Sequence, residues 1–221
     1  MSAYVRPRLS LPVFRDASGA VIEYGNRWGD DEPPADSYSV DAHPERFAPL
    51  HTVAAALIDY LVDAYDVRLG HDPAPVADLV SELDEPPVRV ATLTPNSCED
   101  GAPLAFVFTA YPSVMVRAGV LHDFSHPVCG CDACDEDVEE EAEELEWRVL
   151  AVAEGRFREH YRRGASCPIG HAFAGPDGTE SESGSASAEG YPKARLTEAR
   201  KRLKALPNGW ATWPRRANQD G

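Results

Sequence analysis

Positive charge is scarce in this 221-residue sequence, in which 21 lysines and arginines face 37 aspartates and glutamates, for a formal net charge of −16. A chain this acidic repels the phosphate backbone of nucleic acids and anionic membrane surfaces. We therefore expect no nucleic-acid partner and no membrane partner. The partner that the acidic surface favours is a cationic protein.

We also expect neither a leader sequence nor a membrane-spanning helix. Residues 1–8 contain no apolar segment, and no uninterrupted apolar run approaches the ~20 residues of a membrane-spanning helix. The five cysteines are an odd number, and three of them are too crowded for a disulfide framework. These features predict a protein of the reducing cytoplasm.

The sequence signatures of common enzyme classes are absent too. No glycine-rich phosphate loop follows a predicted strand, and there is no G-x-S-x-G elbow, no H-E-x-x-H pair and no paired C-x₂-C halves. Nucleotide binding and serine hydrolysis therefore have no support, and the sequence does not name a reaction.

The hydrophobic pattern predicts an α+β protein, in which a small antiparallel sheet packs against two long amphipathic helices. Apolar residues recur at helical spacing over 43–65 and 137–161. Three runs at 88–93, 104–111 and 114–120 predict an antiparallel meander. The second strand is expected to be central because it is apolar on both faces.

The composition divides the chain into three parts. Residues 1–163 are predicted to form the α+β domain, with the cysteine-rich segment at 122–136. Residues 164–192 are small and polar, which is typical of a linker or of a weak hairpin. Residues 193–221 contain eight lysines and arginines and two tryptophans, and they predict a basic helix and a Trp-rich tail that docks on the acidic body.

Metal-ligating side chains are concentrated around three cysteines that lie within six residues. Thiolate and imidazole are the ligands that Zn²⁺ prefers in structural sites, so we predict a structural zinc site. Its predicted ligands are Cys129, Cys131, Cys134 and His126. The sequence also offers four alternatives for the fourth ligand, which are His122, Cys98, Cys167 and His171.

Two other interpretations of the same cysteines remain open. If the fourth ligand is water, zinc would act as a Lewis acid in a small hydrolase, with His122, Asp123 or His126 as general base. If no metal binds, Cys129 and Cys131 would form the reactive pair of a thiol redox protein. Acidic neighbours raise thiol pKa values, which disfavours the redox interpretation.

The chain resembles an actinobacterial family known as a domain of unknown function. The resemblance rests on His43-Pro-Glu-Arg-Phe-Ala-Pro-Leu-His51, Val128-Cys-Gly-Cys-Asp-Ala-Cys-Asp-Glu136 and Leu206-Pro-Asn-Gly-Trp-Ala-Thr-Trp-Pro214, and it covers nearly the whole chain. It implies a cytoplasmic bacterial protein and brings no established activity, cofactor or catalytic residue. Our hypothesis from the residues is a non-enzymatic, zinc-stabilised interaction or accessory protein.

Overall fold

The chain forms two antiparallel sheets and four α-helices in the computed structural model, which describes residues 3–29, 31–162, 164–206 and 208–217. The helices are α1 (Pro49–Ala64), α2 (Ala77–Ser81), α3 (Val138–Ala153) and α4 (Lys193–Lys204). The first sheet contains, in spatial order, β1 (Val67–Gly70), β2 (Arg89–Pro95), β3 (Leu104–Phe108), β4 (Val114–Ala118) and β5 (His122–His126). The second contains β6 (Phe157–Tyr161), β7 (Ile169–Ala174) and β8 (Glu180–Ala186). The predicted α+β class is confirmed.

Helix α1 is the central helix of the core. A 3₁₀ turn, Pro44–Phe47, leads into it, and Leu50, Leu57 and Leu61 on one side are fully buried. Pro44–Ala64, at 21 residues, is long and apolar enough by length and composition to cross a membrane, which the sequence analysis did not expect. The core helix of a soluble protein passes the same test, and here the apolar face packs against the sheet and α3.

The predicted meander is present as β2, β3 and β4, with β3 in the middle of five strands and buried along its whole length. One face of the sheet packs on α1 and α3, while Val90 and Val107 on the other face contact α2. The two edge strands were missed. β1 has only four residues and β5 reads as polar, so neither carries the apolar alternation that predicts a strand.

Helix α3 is shorter than the predicted helix over 137–161. It begins after Asp137, whose carboxylate accepts hydrogen bonds from the backbone N–H groups of Glu139 and Glu140. It ends at Ala153 because Gly155 adopts a positive φ of 70°, which turns the chain back. Residues 157–161 then form β6, so the end of the predicted helix is wrong.

The polar segment 164–192 contains β7 and β8, which together account for 13 of its 29 residues. The two strands pair as a hairpin, and Gly175 donates to the Thr179 carbonyl in the turn between them. Ile169 and Phe173 of β7 are fully buried, whereas β8 is a polar edge strand held by main-chain hydrogen bonds. The small, polar residues of β8 carry no hydrophobic pattern that would predict a strand. Arg163 lies outside the described residues.

The C-terminal segment lies against the body of the protein. The indole N–H of Trp213 donates to the Ala102 carbonyl at 2.9 Å, and that of Trp210 donates to Glu159 at 2.9 Å. Arg195 of α4 lies between Asp78 and Asp123, at 3.1 and 2.8 Å. Pro207 and residues 218–221 of the predicted tail lie outside the described part of the chain.

Candidate metal centre

Three thiols converge in the loop that joins β5 to α3. The Sγ atoms of Cys129 and Cys131 are 3.3 Å apart, and those of Cys131 and Cys134 are 3.5 Å apart. All three sulfurs lie within 4.8 Å of one another. Cys134 is exposed and the other two are partly exposed, so the cluster lies at the surface. The three cysteines could hold a metal ion.

Two arginines fix the backbone of this cysteine loop, residues 127–137. Arg46 donates to the Gly130 carbonyl at 2.8 Å, and its side chain is only 3% exposed. Arg27 donates to the Asp135 carboxylate at 2.5 Å and to the Asp132 carbonyl. Both guanidinium groups also contact the Tyr24 ring, at 4.4 Å for Arg27 and 4.3 Å for Arg46. The loop is therefore held by two guanidinium groups that both stack on the Tyr24 ring.

The N-terminal region binds the loop through its main chain as well. The backbone N–H groups of Asp132 and Ala133 donate to the carbonyls of Val40 and Ser37, at 2.6 and 3.1 Å. Gly130 packs so closely on Tyr111 that a Cβ there would lie 1.8 Å from the phenol oxygen. A side chain at position 130 would push the loop away from Tyr111 or displace the ring.

Hydrogen bonding gives the three thiols different acidities. The backbone N–H of Cys134 and the Cys129 thiol hydrogen-bond to the sulfur of Cys131, which lowers the pKa of Cys131 to about 7. Hydrogen bonding with the sulfurs of Cys129 and Cys131 raises the pKa of the Cys134 thiol to about 12. Acidic neighbours were expected to raise thiol pKa values unless the backbone near Asp135 compensated, and at Cys131 the backbone N–H of Cys134 does stabilise the thiolate.

His126 does not lie with the cysteines, which corrects its place in the predicted ligand set. It is fully buried, and its Nδ1 lies 2.9 Å from a Glu141 carboxylate oxygen while its Nε2 lies 3.4 Å from an Arg148 nitrogen. Both ring nitrogens are therefore engaged. His126, Glu141 and Glu144 form a second group that could hold a metal ion, but the Arg148 guanidinium lies 2.5 Å from Glu144 and already neutralises it.

The alternative fourth ligands also lie elsewhere. The Nε2 atom of His122 donates to the Gly170 carbonyl at 3.0 Å, and burial lowers the pKa of His122 to about 4. His171 contacts the His122 ring at 4.5 Å between centroids. Among the described residues, no His, Cys, Asp or Glu beyond the three cysteines joins their cluster, and this holds for Cys98 and Cys167 too.

Sequence reasoning found the cysteines and missed the residues that hold them. Arg27, Arg46 and Tyr111 lie 16 or more positions away from the loop in sequence. One signal was present, because Arg46 belongs to the first of the three segments that carried the family resemblance. Long-range contacts of this kind follow from the fold and have no local sequence pattern.

The fold and the loop together define an α+β protein with a surface cluster of three thiols. The chain belongs to a family described as "Family of unknown function (DUF6226)", whose model matches residues 10–217. The resemblance to a domain of unknown function is therefore confirmed, and an actinobacterial origin stays a prediction. No curated protein and no solved structure matches the chain.

Proposed function

We propose that this protein is a non-enzymatic interaction or accessory module of the bacterial cytoplasm, stabilised by zinc at Cys129, Cys131 and Cys134. The observation that carries the proposal is the convergence of three sulfurs at 3.3 and 3.5 Å. Zinc–sulfur bonds of about 2.3 Å in a tetrahedral site require sulfurs only a few tenths of an ångström farther apart. Thiolates select soft or borderline metals, of which zinc is the most common structural ion.

The loop is a place where an ion would stabilise the fold. It joins the end of β5 to the first turn of α3, and it contacts residues 37–40 of the N-terminal region. An ion that binds the folded loop and not the unfolded chain adds its binding free energy to stability. At free zinc a thousandfold above the dissociation constant this amounts to about 4 kcal/mol.

Metal content and thermal unfolding test the proposal. Purified protein should contain one zinc per chain, and a chelator should lower Tm by about 8–16 °C, because about 4 kcal/mol corresponds to that shift in a chain of this size. Cys131→Ser should remove the zinc and the chelator response. Cys167→Ser is the matched control, since it removes an exposed cysteine outside the cluster and should change neither. A metal-free protein with an unchanged Tm would refute the proposal.

A hydrolase receives less support from the contacts. Each of its three candidate general bases is hydrogen-bonded to other residues and not to the cysteines. His122 bonds to Gly170, and His126 bonds to Glu141. Asp123 accepts from Arg117 and Arg195. A general base must reach the water whose proton it removes. For this reason the proposed role of the metal is structural.

A thiol redox role is the second candidate, because one specific observation favours it. Cys131 has a pKa lowered to about 7 and lies 3.3 Å from Cys129, so a thiolate faces a second thiol. In metal-free protein, oxidised glutathione would accept two electrons from this pair and leave as two thiols, while a Cys129–Cys131 disulfide forms. Mass spectrometry of the oxidised chain would detect the loss of two hydrogens. Zinc-loaded protein that resists this oxidation would favour the structural role.

A cationic protein is the proposed partner. A groove of about 450 Å³ lies between the end of α2 and the cysteine loop, and Glu82, Asp84 and Glu85 line one side of it. Its described lining residues include no lysine, arginine or histidine. Salt-dependent binding of a lysine-rich peptide, reduced when these three carboxylates are changed to amides, would support this surface. Binding that is indifferent to both salt and the amide variants would argue against it.

A further inference from the structure

The cysteine cluster supplies three ligands, and a tetrahedral zinc site needs four. Within the described ranges, the carboxylates nearest to the sulfurs in sequence already have partners. The Glu136 carboxylate accepts from the Cys129 backbone N–H at 3.0 and 3.1 Å, and Asp135 accepts from Arg27. Asp132 lies 3.7 Å from both Arg27 and Arg46. Among the residues that the structure describes, no further His, Cys, Asp or Glu lies close enough to all three sulfurs to join them.

The loop is too well anchored to bring a distant ligand closer. Arg46, Arg27, Val40 and Ser37 each bond to its backbone or its carboxylates. Moving His126 onto the metal would break its contacts with Glu141 and Arg148 and uncover a fully buried ring. The fourth position is therefore more easily filled from outside the chain than from within it.

Exposed apolar side chains lie in the cysteine loop and in the segments that contact it. Ten large apolar residues are exposed in the described part of the chain, and four of them belong to the loop, to the 37–40 segment that bonds to it or to Tyr111, which packs on Gly130. These four are Tyr38 at 58% exposure, Val40 at 43%, Tyr111 at 37% and Val128 at 68%. Val128 directly precedes Cys129, and the Val40 carbonyl accepts from Asp132. Apolar side chains grouped around one point mark a surface that a protein partner covers.

We propose that a partner protein supplies the fourth metal ligand, as a histidine imidazole or a cysteine thiolate, from a segment whose apolar neighbours cover Tyr38, Val40, Tyr111 and Val128. This inference rests on the proposed zinc site. Binding of the partner would convert an open three-thiolate site into a closed one. The metal would then be part of the interface as well as a support for the loop.

Cobalt substitution makes the fourth position visible, because the visible bands of tetrahedral Co²⁺ change with its ligands. The probes are imidazole, 2-mercaptoethanol and the peptide acetyl-Lys-Leu-His-Leu-Lys-amide. Each should shift the bands of the cobalt-loaded protein in a saturable way. The peptide should act at about tenfold lower concentration than imidazole, because its leucines cover the apolar side chains.

Matched variants separate the metal from the surface around it. Val128→Ser should weaken the peptide about threefold or more and leave the imidazole response unchanged. Val5→Ser is the control: Val5 is 80% exposed, and its neighbours Tyr4 and Arg6 bond to Glu146 on α3. It should alter neither response. A Val128→Ser variant that behaves like wild type would overturn the proposed surface.

The remaining outcomes separate this inference from the proposed function. If cobalt binds and no probe changes its bands, the fourth ligand belongs to the chain and only this inference fails. If the bands change with protein concentration and a dimer forms, a second copy is the donor, and the inference of a different partner is overturned. If no cobalt binds, both the inference and the proposed zinc site fail.

Discussion

Arg46 is the residue on which the shape of the cysteine loop depends most. Its guanidinium is 3% exposed, donates to the Gly130 carbonyl and lies 3.3 Å from Asp41. Arg46→Ala should reduce the free energy of unfolding by about 3–5 kcal/mol, because it removes a buried cation that pairs with Asp41 and Asp132 and leaves the Gly130 carbonyl without its donor. Urea unfolding measures this, and zinc affinity should fall in parallel.

Two controls accompany that variant. Arg46→Lys keeps the charge and loses the forked geometry, so it should recover part of the lost stability. Arg8 is exposed and forms no ion pair within the described residues, so Arg8→Ala should change stability by less than about 0.5 kcal/mol. An Arg46→Ala protein as stable as Arg8→Ala would contradict the role given to this side chain.

Glu159 gives the molecule a pH-dependent contribution to stability. Its carboxylate is buried, and desolvation raises its pKa to about 7, although Val120, Leu121 and Trp210 donate to it. As pH rises from about 4.5, the unfolded chain loses the Glu159 proton before the folded chain does. The contribution of Glu159 to stability therefore falls as pH rises towards about 7. The stability difference between wild type and Glu159→Gln should therefore shrink over this range, by at most about 1.4 kcal/mol per pH unit.

His122 acts in the opposite direction. Burial lowers its pKa from 6.5 to about 4, so the unfolded chain binds the extra proton and stability rises with pH between these values. The two contributions oppose each other in wild type. In Glu159→Gln the His122 contribution should appear without the opposing Glu159 contribution, as a rise in stability from pH 4 to 6.5 in urea titrations. A variant whose stability falls over that interval would contradict the assignment.

At the scale of elements, Gly155 shows why α3 ends where it does. Its φ is 70°, and a Cβ would lie 2.6 Å from the Thr212 backbone nitrogen. Gly178 has a φ of 83° with no atom within 4 Å of the same position, so it is the matched control. Gly178→Ala should cost about 1–2 kcal/mol from its left-handed backbone alone. Gly155→Ala should cost clearly more, because the new Cβ would also clash with the Thr212 backbone. Equal costs of the two variants in urea unfolding would show that the segment around Thr212 shifts without a loss of stability.

Trp213 joins the C-terminal segment to two other parts of the chain. The ring is 1% exposed, its N–H donates to Ala102, and its backbone N–H donates to the Ala153 carbonyl at the end of α3. Trp213→Phe should cost about 1–3 kcal/mol through the unpaired Ala102 carbonyl. Trp213→Ala should cost about 3–5 kcal/mol through the cavity. Differential scanning calorimetry would rank the two, and the reverse order would contradict this packing.

The limits of prediction are clearest at this scale. Helices α1 and α4 and strands β2, β3 and β4 were predictable, because each carries its own hydrophobic period. Strands β5 and β8 were not, because their largely polar residues are held by main-chain pairing with neighbours. The same holds for the metal centre: the cysteines were local in sequence, while the place of His126 depended on Glu141 and Arg148 of a helix that comes later in the chain.

The whole molecule should unfold as one unit, because its two sheets share buried contacts. His122 of the first sheet donates to Gly170 of the second, and Glu159 binds both the turn after β4 and Trp210. Urea midpoints from far-UV circular dichroism and from tryptic cleavage within α4 should coincide. Cleavage of α4 at much lower urea would show that residues 193–217 unfold as a separate arm.

The positions of the tryptophans along the chain have a practical consequence. The Trp28 indole N–H donates to the Asp132 carbonyl at 3.2 Å, inside the loop that carries the thiols, whereas Trp210 and Trp213 are buried at the opposite end of the sequence. With the other indoles replaced by phenylalanine, the emission of Trp28 alone would report ion occupancy of that loop without any added label. The protein therefore carries its own fluorophore beside the site whose ligand is sought.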